Sequence, residues 1–177
     1  MPAAIAPILI ALASFVLRLV NLGSTKGFIF DEVYYVDGAR DLLKYGVEVS
    51  GSNPEFIVHP PVGKWLIATG IAIFGDNEFG WRFATALVGT LLILVFARLV
   101  HVLFYSPLLT ALGAALMALD GLLLVHSRTA LLDLFLTFFV LVGVLLWHRD
   151  RHWWAGLAFG LALGCKWSAI YFIAVIA

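Results

Sequence analysis

Two carboxylates stand side by side at Asp31 and Glu32, in the stretch "FDEVYYVDGARDLLKYG" (30–46). A carboxylate within hydrogen-bond reach of a hydroxyl can take its proton as the oxygen attacks. Fixed cations can stabilise the charge that develops on a leaving group. Arg82, Arg128 and Lys166 are cations suited to that task, and Arg is favoured because its planar fork grips an oxyanion bidentately. His59, His126 and Asp133 complete the set of ionisable candidates. Each also has a plain reading as a surface residue or helix cap. Asp31 suits the N-cap of a helix beginning at Glu32.

The elements that must position these groups are apolar. The chain of 177 residues is 63% hydrophobic and 12% charged, against about 45–50% apolar in soluble domains. Such a composition implies an integral membrane protein. The net charge of zero argues against nucleic acid as a partner. Cys165 is the single cysteine, so no internal disulfide forms.

A spanning helix needs about 20 mostly apolar residues. The runs at 3–20, 83–105, 107–125, 130–147 and 153–177 meet this, and together they predict a single membrane domain over 1–177. The opening run also reads as a secretory signal, but it lacks a basic leader and further apolar runs follow it. It is taken as a first span. The run at 65–74, within an interfacial helix over about 62–75, is too short to cross. The final "IYFIAVIA" stops inside an apolar run, which leads us to expect a piece of a longer protein.

From 32 to 45, Val33, Val36, Ala39 and Leu43 recur at helical spacing opposite Asp37, Arg40, Asp41 and Lys44. This predicts an amphipathic helix on the membrane surface, followed by a turn over 46–55. With five spans and both short helices interfacial, residues 21–82, the turn at 126–129 and the far end of the fifth span share one side. Asp120, Asp133 and Lys166 are the interior exceptions among the apolar spans, each costing about 2.5–3.5 kcal/mol at a helix centre. The plain reading weakens because all eight candidates select one face.

The strings "FDEVYYVDGARDLL", "HPPVGKWLI", "NEFGWRFATALVGTLLILVFARL", "LDGLLLVHSRTALLDLFLTFF" and "LGCKWSAIYF" resemble the N-terminal half of the protein O-mannosyltransferases. The resemblance runs in order from about residue 15 to the end. It implies an all-α polytopic membrane protein of the GT-C class, a helix bundle with an amphipathic helical first extracytoplasmic loop. It also implies transfer of mannose from a polyprenyl (dolichyl-type) phosphate to Ser or Thr hydroxyls of exported proteins. Asp31 matches the family's base, and the first loop would face the ER lumen or the bacterial exterior. Short loops and Ala/Leu-rich spans lean toward a bacterial cell membrane.

A lipid phosphate leaves without an acid but needs cations around it. Asp31 is accordingly expected as base and Glu32 as a positioning or acceptor-binding group. Arg82, Arg128 and Lys166 are expected to clamp the donor phosphate. His59 and His126 are expected in support, and Asp133 as the partner of Arg128 or Lys166. Trp65 or Trp81 is a candidate for sugar stacking, and Trp153 and Trp154 for an interfacial anchor. The expected partners are the lipid-linked donor, Ser/Thr-containing proteins and membrane lipids. No Cys/His cluster or DxD string occurs, so the sequence calls for no metal and no cofactor. Three rivals remain: a GT-C transferase moving another polyprenyl-linked sugar to a lipid or glycan, a transporter or channel, and an assembly subunit that has lost activity. The polar residues are skewed to one edge and no repeat appears, unlike the midplane sites of transporters.

Overall fold

A computed structural model describes residues 4–50, 53–54 and 58–176. In order they form α1 (Ile5–Leu19), α2 (Glu32–Tyr45), β1 (Val49–Ser50), β2 (Asn53–Pro54), α3 (Val62–Phe74), α4 (Glu78–Phe104), α5 (Pro107–Leu119), α6 (Gly121–His126), α7 (Leu132–His148), α8 (His152–Cys165) and α9 (Ala169–Ile176). The strands among the described residues form one antiparallel pairing, Val49 with Pro54 and Ser50 with Asn53. The turn predicted over 46–55 lies partly outside the described residues.

The central helix is α4, 27 residues long and apolar enough to cross a membrane. Asn77 starts it by accepting from the backbone N–H of Phe79 and Gly80, each at 3.1 Å. Four shorter apolar helices, α1, α3, α5 and α7, accompany it. The first three pack on α4 and so does α7, with α8 paired against α7. Leu92, Ile93, Leu132 and Phe135 are fully buried at the centre.

Two predicted spans are broken helices. The run 107–125 divides at Asp120, where the backbone turns extended and the carboxylate caps α6 through Leu123 N–H at 2.6 Å. The run 153–177 divides at Lys166, also extended, so that its side chain reaches α7. At Asp120 the side chain replaces a helical backbone partner, and at Lys166 the break coincides with an ion pair to Asp133.

The short helix α3 lies across one end of the bundle. A Cβ on Gly63, near its start, would run into Leu132 at the head of α7. A Cβ on Gly70, near its finish, would run into the carbonyl of Gly80 in the first turns of α4. Both ends of α3 therefore meet helix termini at the same end, and only glycine permits the backbones to approach so closely. On α2 the buried face is Glu32, Tyr35, Val36, Gly38 and Ala39. Val33 and Leu43, expected on that face, are exposed. The face is rotated because Glu32, a charged residue, is drawn inward by the partners described next.

Candidate active site

Glu32 is 0% exposed and Arg82 1%. Arg82 Nε and Nη2 donate to the two oxygens of Glu32 at 2.8 and 2.7 Å. The remaining guanidinium N–H groups go to the carbonyls of Thr25, Gly27 and, at 3.5 Å, Leu22. All five donors of an Arg are thus engaged. Glu32 in turn accepts from Ile29 N–H at 2.8 Å and from Ala130 N–H at 2.7 Å. One carboxylate thereby joins the first loop, α4 and the approach to α7. Neither side chain has capacity left for a ligand. The expected phosphate clamp at Arg82 and the expected acceptor contact at Glu32 are replaced by a buried fastening.

Asp31 is one residue away and has the opposite fate. Its carboxylate makes no cap bond to α2. Among the described residues it accepts only from Tyr35 Oη, at a long 3.4 Å. Phe30 ahead of it holds φ +53°, a conformation unfavourable for a bulky side chain. The bonds of Glu32 and Arg82 to Ile29 and Gly27 on the same turn hold it there. The effect is to turn Asp31 outward into a cleft of about 520 Å³ lined by Asp31, Tyr34, Tyr35, His59 and Lys64, among others.

Burial, then the Asp31 charge, pushes the Tyr35 phenol up to about 12, so it remains a donor across the ordinary range. The His59 ring packs on Tyr35 with centroids 5.8 Å apart. Burial, then Lys166 and Lys64, lowers the His59 pKa, keeping the imidazole neutral at pH 7. Its Nδ1 is buried with no partner among the described residues. Lys64 is buried and its ammonium is bound to buried Glu48.

Lys166 donates to both oxygens of Asp133, at 2.8 and 3.1 Å. The pair is partly open, with the side chains 25% and 45% exposed. Lys166 keeps an N–H uncommitted among the described residues. The charges of both residues are felt at His59, although neither lines the cleft itself, and Asp133 lines the adjoining apolar cavity. Trp167 Nε1 donates to the carbonyl of Val58 at 3.1 Å, tying the α8–α9 break to the segment that carries His59.

The other expected residues lie elsewhere. Arg128 Nη1 donates to the carbonyls of Leu17, Arg18 and Val20, and Nη2 to Asn21. It caps the C-terminus of α1, where a cation offsets the helix dipole, rather than clamping a phosphate. His126 lines a separate apolar cavity of about 300 Å³ with Asp120 and Leu123, and only Asp133 connects that cavity to the site. Trp81 is 7% exposed and stacked on Phe28 at 4.9 Å, so it offers no face to a sugar. Trp65 is exposed. Sequence reasoning passed over Tyr35, Glu48 and Lys64. Tyr35 is signalled by its i+4 spacing from Asp31, and Lys64 by its place in the first turn of an apolar helix.

The sequence profile described as dolichyl-phosphate-mannose-protein mannosyltransferase matches residues 58–177. The chain belongs to that family. A polyprenol-phosphate-mannose–protein mannosyltransferase of Mycobacterium tuberculosis is 41% identical over 201 aligned residues, covering 93% of this chain and 38% of that protein. Its counterpart in Mycolicibacterium smegmatis is 36% identical, covering 96% of this chain and 39% of that protein. An undecaprenyl phosphate-alpha-4-amino-4-deoxy-L-arabinose arabinosyl transferase of Pseudomonas aeruginosa is 35% identical over 136 residues, 73% of this chain and 24% of that protein. The chain thus spans about two fifths of the length of its mannosyltransferase relatives. No solved structure matches it. The mannosyltransferase family profile takes in His59, Arg82, Arg128, Asp133 and Lys166, but begins after Asp31 and Glu32.

Proposed function

We propose that this chain supplies the catalytic base and part of the donor site of a membrane enzyme that transfers mannose from a polyprenyl phosphate to Ser or Thr hydroxyls of exported proteins. The observation that carries the reading is Asp31: an acid with no cap bond, turned into a cleft by a neighbour that is itself fully paired. The acceptor oxygen attacks the anomeric carbon and Asp31 takes its proton. The bond from that carbon to the phosphate oxygen breaks, and the polyprenyl phosphate leaves with the electron pair. A single displacement inverts the anomeric centre. Lys166, with a donor to spare beside Asp133, faces the phosphate. His59, neutral and packed on Tyr35, orients the donor or holds the loop.

The apolar cavity beside Asp133 is suited to the first isoprene units of the carrier. The cleft would face the extracytoplasmic side of a bacterial cell membrane in a multi-pass protein. The test is transfer from labelled polyprenyl-phosphate mannose to a Thr-containing peptide by the full-length protein, with Asp31→Asn as control. Transfer that Asp31→Asn abolishes supports the reading, and transfer that it leaves intact removes Asp31 from the chemistry. The likeness to an arabinosyl transferase favours one rival, movement of another lipid-linked sugar. Incorporation only into a lipid or glycan acceptor would decide for that rival.

A further inference from the structure

The opposite end of α4 carries a second constellation with no part in the proposed transfer. Arg98 lies sixteen residues beyond Arg82 (82 to 98), about 24 Å along the helix at 1.5 Å per residue. Arg98, His101, Tyr105, His148 and Arg149 line one cup of about 360 Å³ where the C-termini of α4 and α7 meet. Neither Arg98 nor Arg149 has an acidic partner among the described residues, and Asp150, the acid in this turn, lies 3.9 Å from His152. His101 is held in place through Nδ1, 3.2 Å from Thr110 Oγ1.

A plain reading is available: cations in the last turn of a helix offset its dipole. That reading does not explain what adjoins the cup. Arg98 and His101 also line an apolar slot of about 430 Å³ between α1 and α4, floored by Pro7, Ile8, Leu94 and Ala97. A basic cup continuous with a greasy slot matches a molecule with an anionic head and an apolar tail. Trp147, Trp153 and Trp154 are exposed beside the cup, Trp153 by 94%. Exposed Trp side chains of this kind mark the headgroup level of a bilayer.

We propose that this end of the bundle binds an anionic glycerophospholipid, with its phosphate between Arg98 and Arg149 and an acyl chain in the slot beside Ile8. Basic pockets between membrane helices recognise phospholipid headgroups in this way. The site is independent of the transfer reaction and survives if that reading fails.

The experiment uses full-length protein in neutral detergent, titrated separately with phosphatidylglycerol, phosphatidylcholine and inorganic phosphate, with bound species read by native mass spectrometry. Phosphatidylglycerol should be retained about ten-fold more tightly than phosphatidylcholine. Arg98→Gln combined with Arg149→Gln should erase that preference while mannosyl transfer stays unchanged. Ile8→Trp, which fills the slot from an exposed position, should weaken phosphatidylglycerol retention without altering phosphate binding. Equal retention of the two lipids, retention unaffected by the double variant, displacement by inorganic phosphate as effective as by lipid, or no retained lipid would each overturn the proposal.

Discussion

The ion pairs Glu32–Arg82 and Asp133–Lys166 lie at the same end of the bundle, the first closed to solvent and the second open to it. In the closed pair every Arg donor is bonded and the carboxylate accepts four bonds. In the open pair the ammonium keeps a spare donor. A saturated pair holds backbone segments together and has nothing to offer a substrate. An unsaturated one, whose carboxylate lines a cavity, retains capacity for a ligand. The same contrast separates the neighbours Glu32 and Asp31.

Variants can break this comparison. Asp31→Asn should lower turnover by about 10²–10⁴-fold, the usual worth of a positioned base. Its thermal midpoint should not move, since the carboxylate caps nothing; single-turnover transfer and thermal unfolding together read this. Arg82→Met leaves a buried carboxylate unpaired and should cost about 3–5 kcal/mol of stability. Glu32→Leu added to it should recover much of the loss in equilibrium unfolding, the mark of a structural pair. Lys166→Gln should instead raise the donor KM about ten-fold or more, the worth of one charge-assisted bond. Its stability change should stay under about 1 kcal/mol, because the pair is partly exposed and screened. Arg128→Ala removes a C-terminal cap from α1 and should cost about 1 kcal/mol, with turnover intact below the new midpoint.

The smallest effect concerns pH. His59 has a lowered pKa in the folded protein, from burial first and then from two lysines. The unfolded chain therefore binds more protons just below pH 6.5, and stability rises with pH through that window. The contribution of a neutral His59 is present above about pH 6.5 and is lost as pH falls through the depressed folded value. His59→Gln should flatten that slope in unfolding measured between pH 5 and 7, a range of about two units around the ordinary imidazole value.

How much was legible varies with what each residue's role depends on. The amphipathic spacing at 32–45 locates a helix over the residues that form α2, yet Val33 and Leu43 face outward because Glu32 is pulled in from a segment fifty residues away. The pairing of Asp133 with Lys166 could be narrowed to two partners from their common side, and contact selected one. The eight candidates were gathered by charge in an apolar chain, which is sound physics because each such charge is costly. Charge alone cannot say which cation is already spent. Arg82 is consumed by Glu32 and three carbonyls, and Arg128 by the end of α1, and neither partner set is periodic in sequence.

The sequence by itself determined the apolar character of the chain, where its helical runs lie, and the residues expensive enough to need a reason. Those follow from local composition and spacing. Only the tertiary structure decided that Asp31 is displayed and Glu32 buried, that α5–α6 and α8–α9 are broken, and which cations remain free. The physical reason is that hydrogen-bond saturation depends on carbonyls and carboxylates brought together from distant segments, and one carboxylate does not differ from its neighbour until those partners arrive.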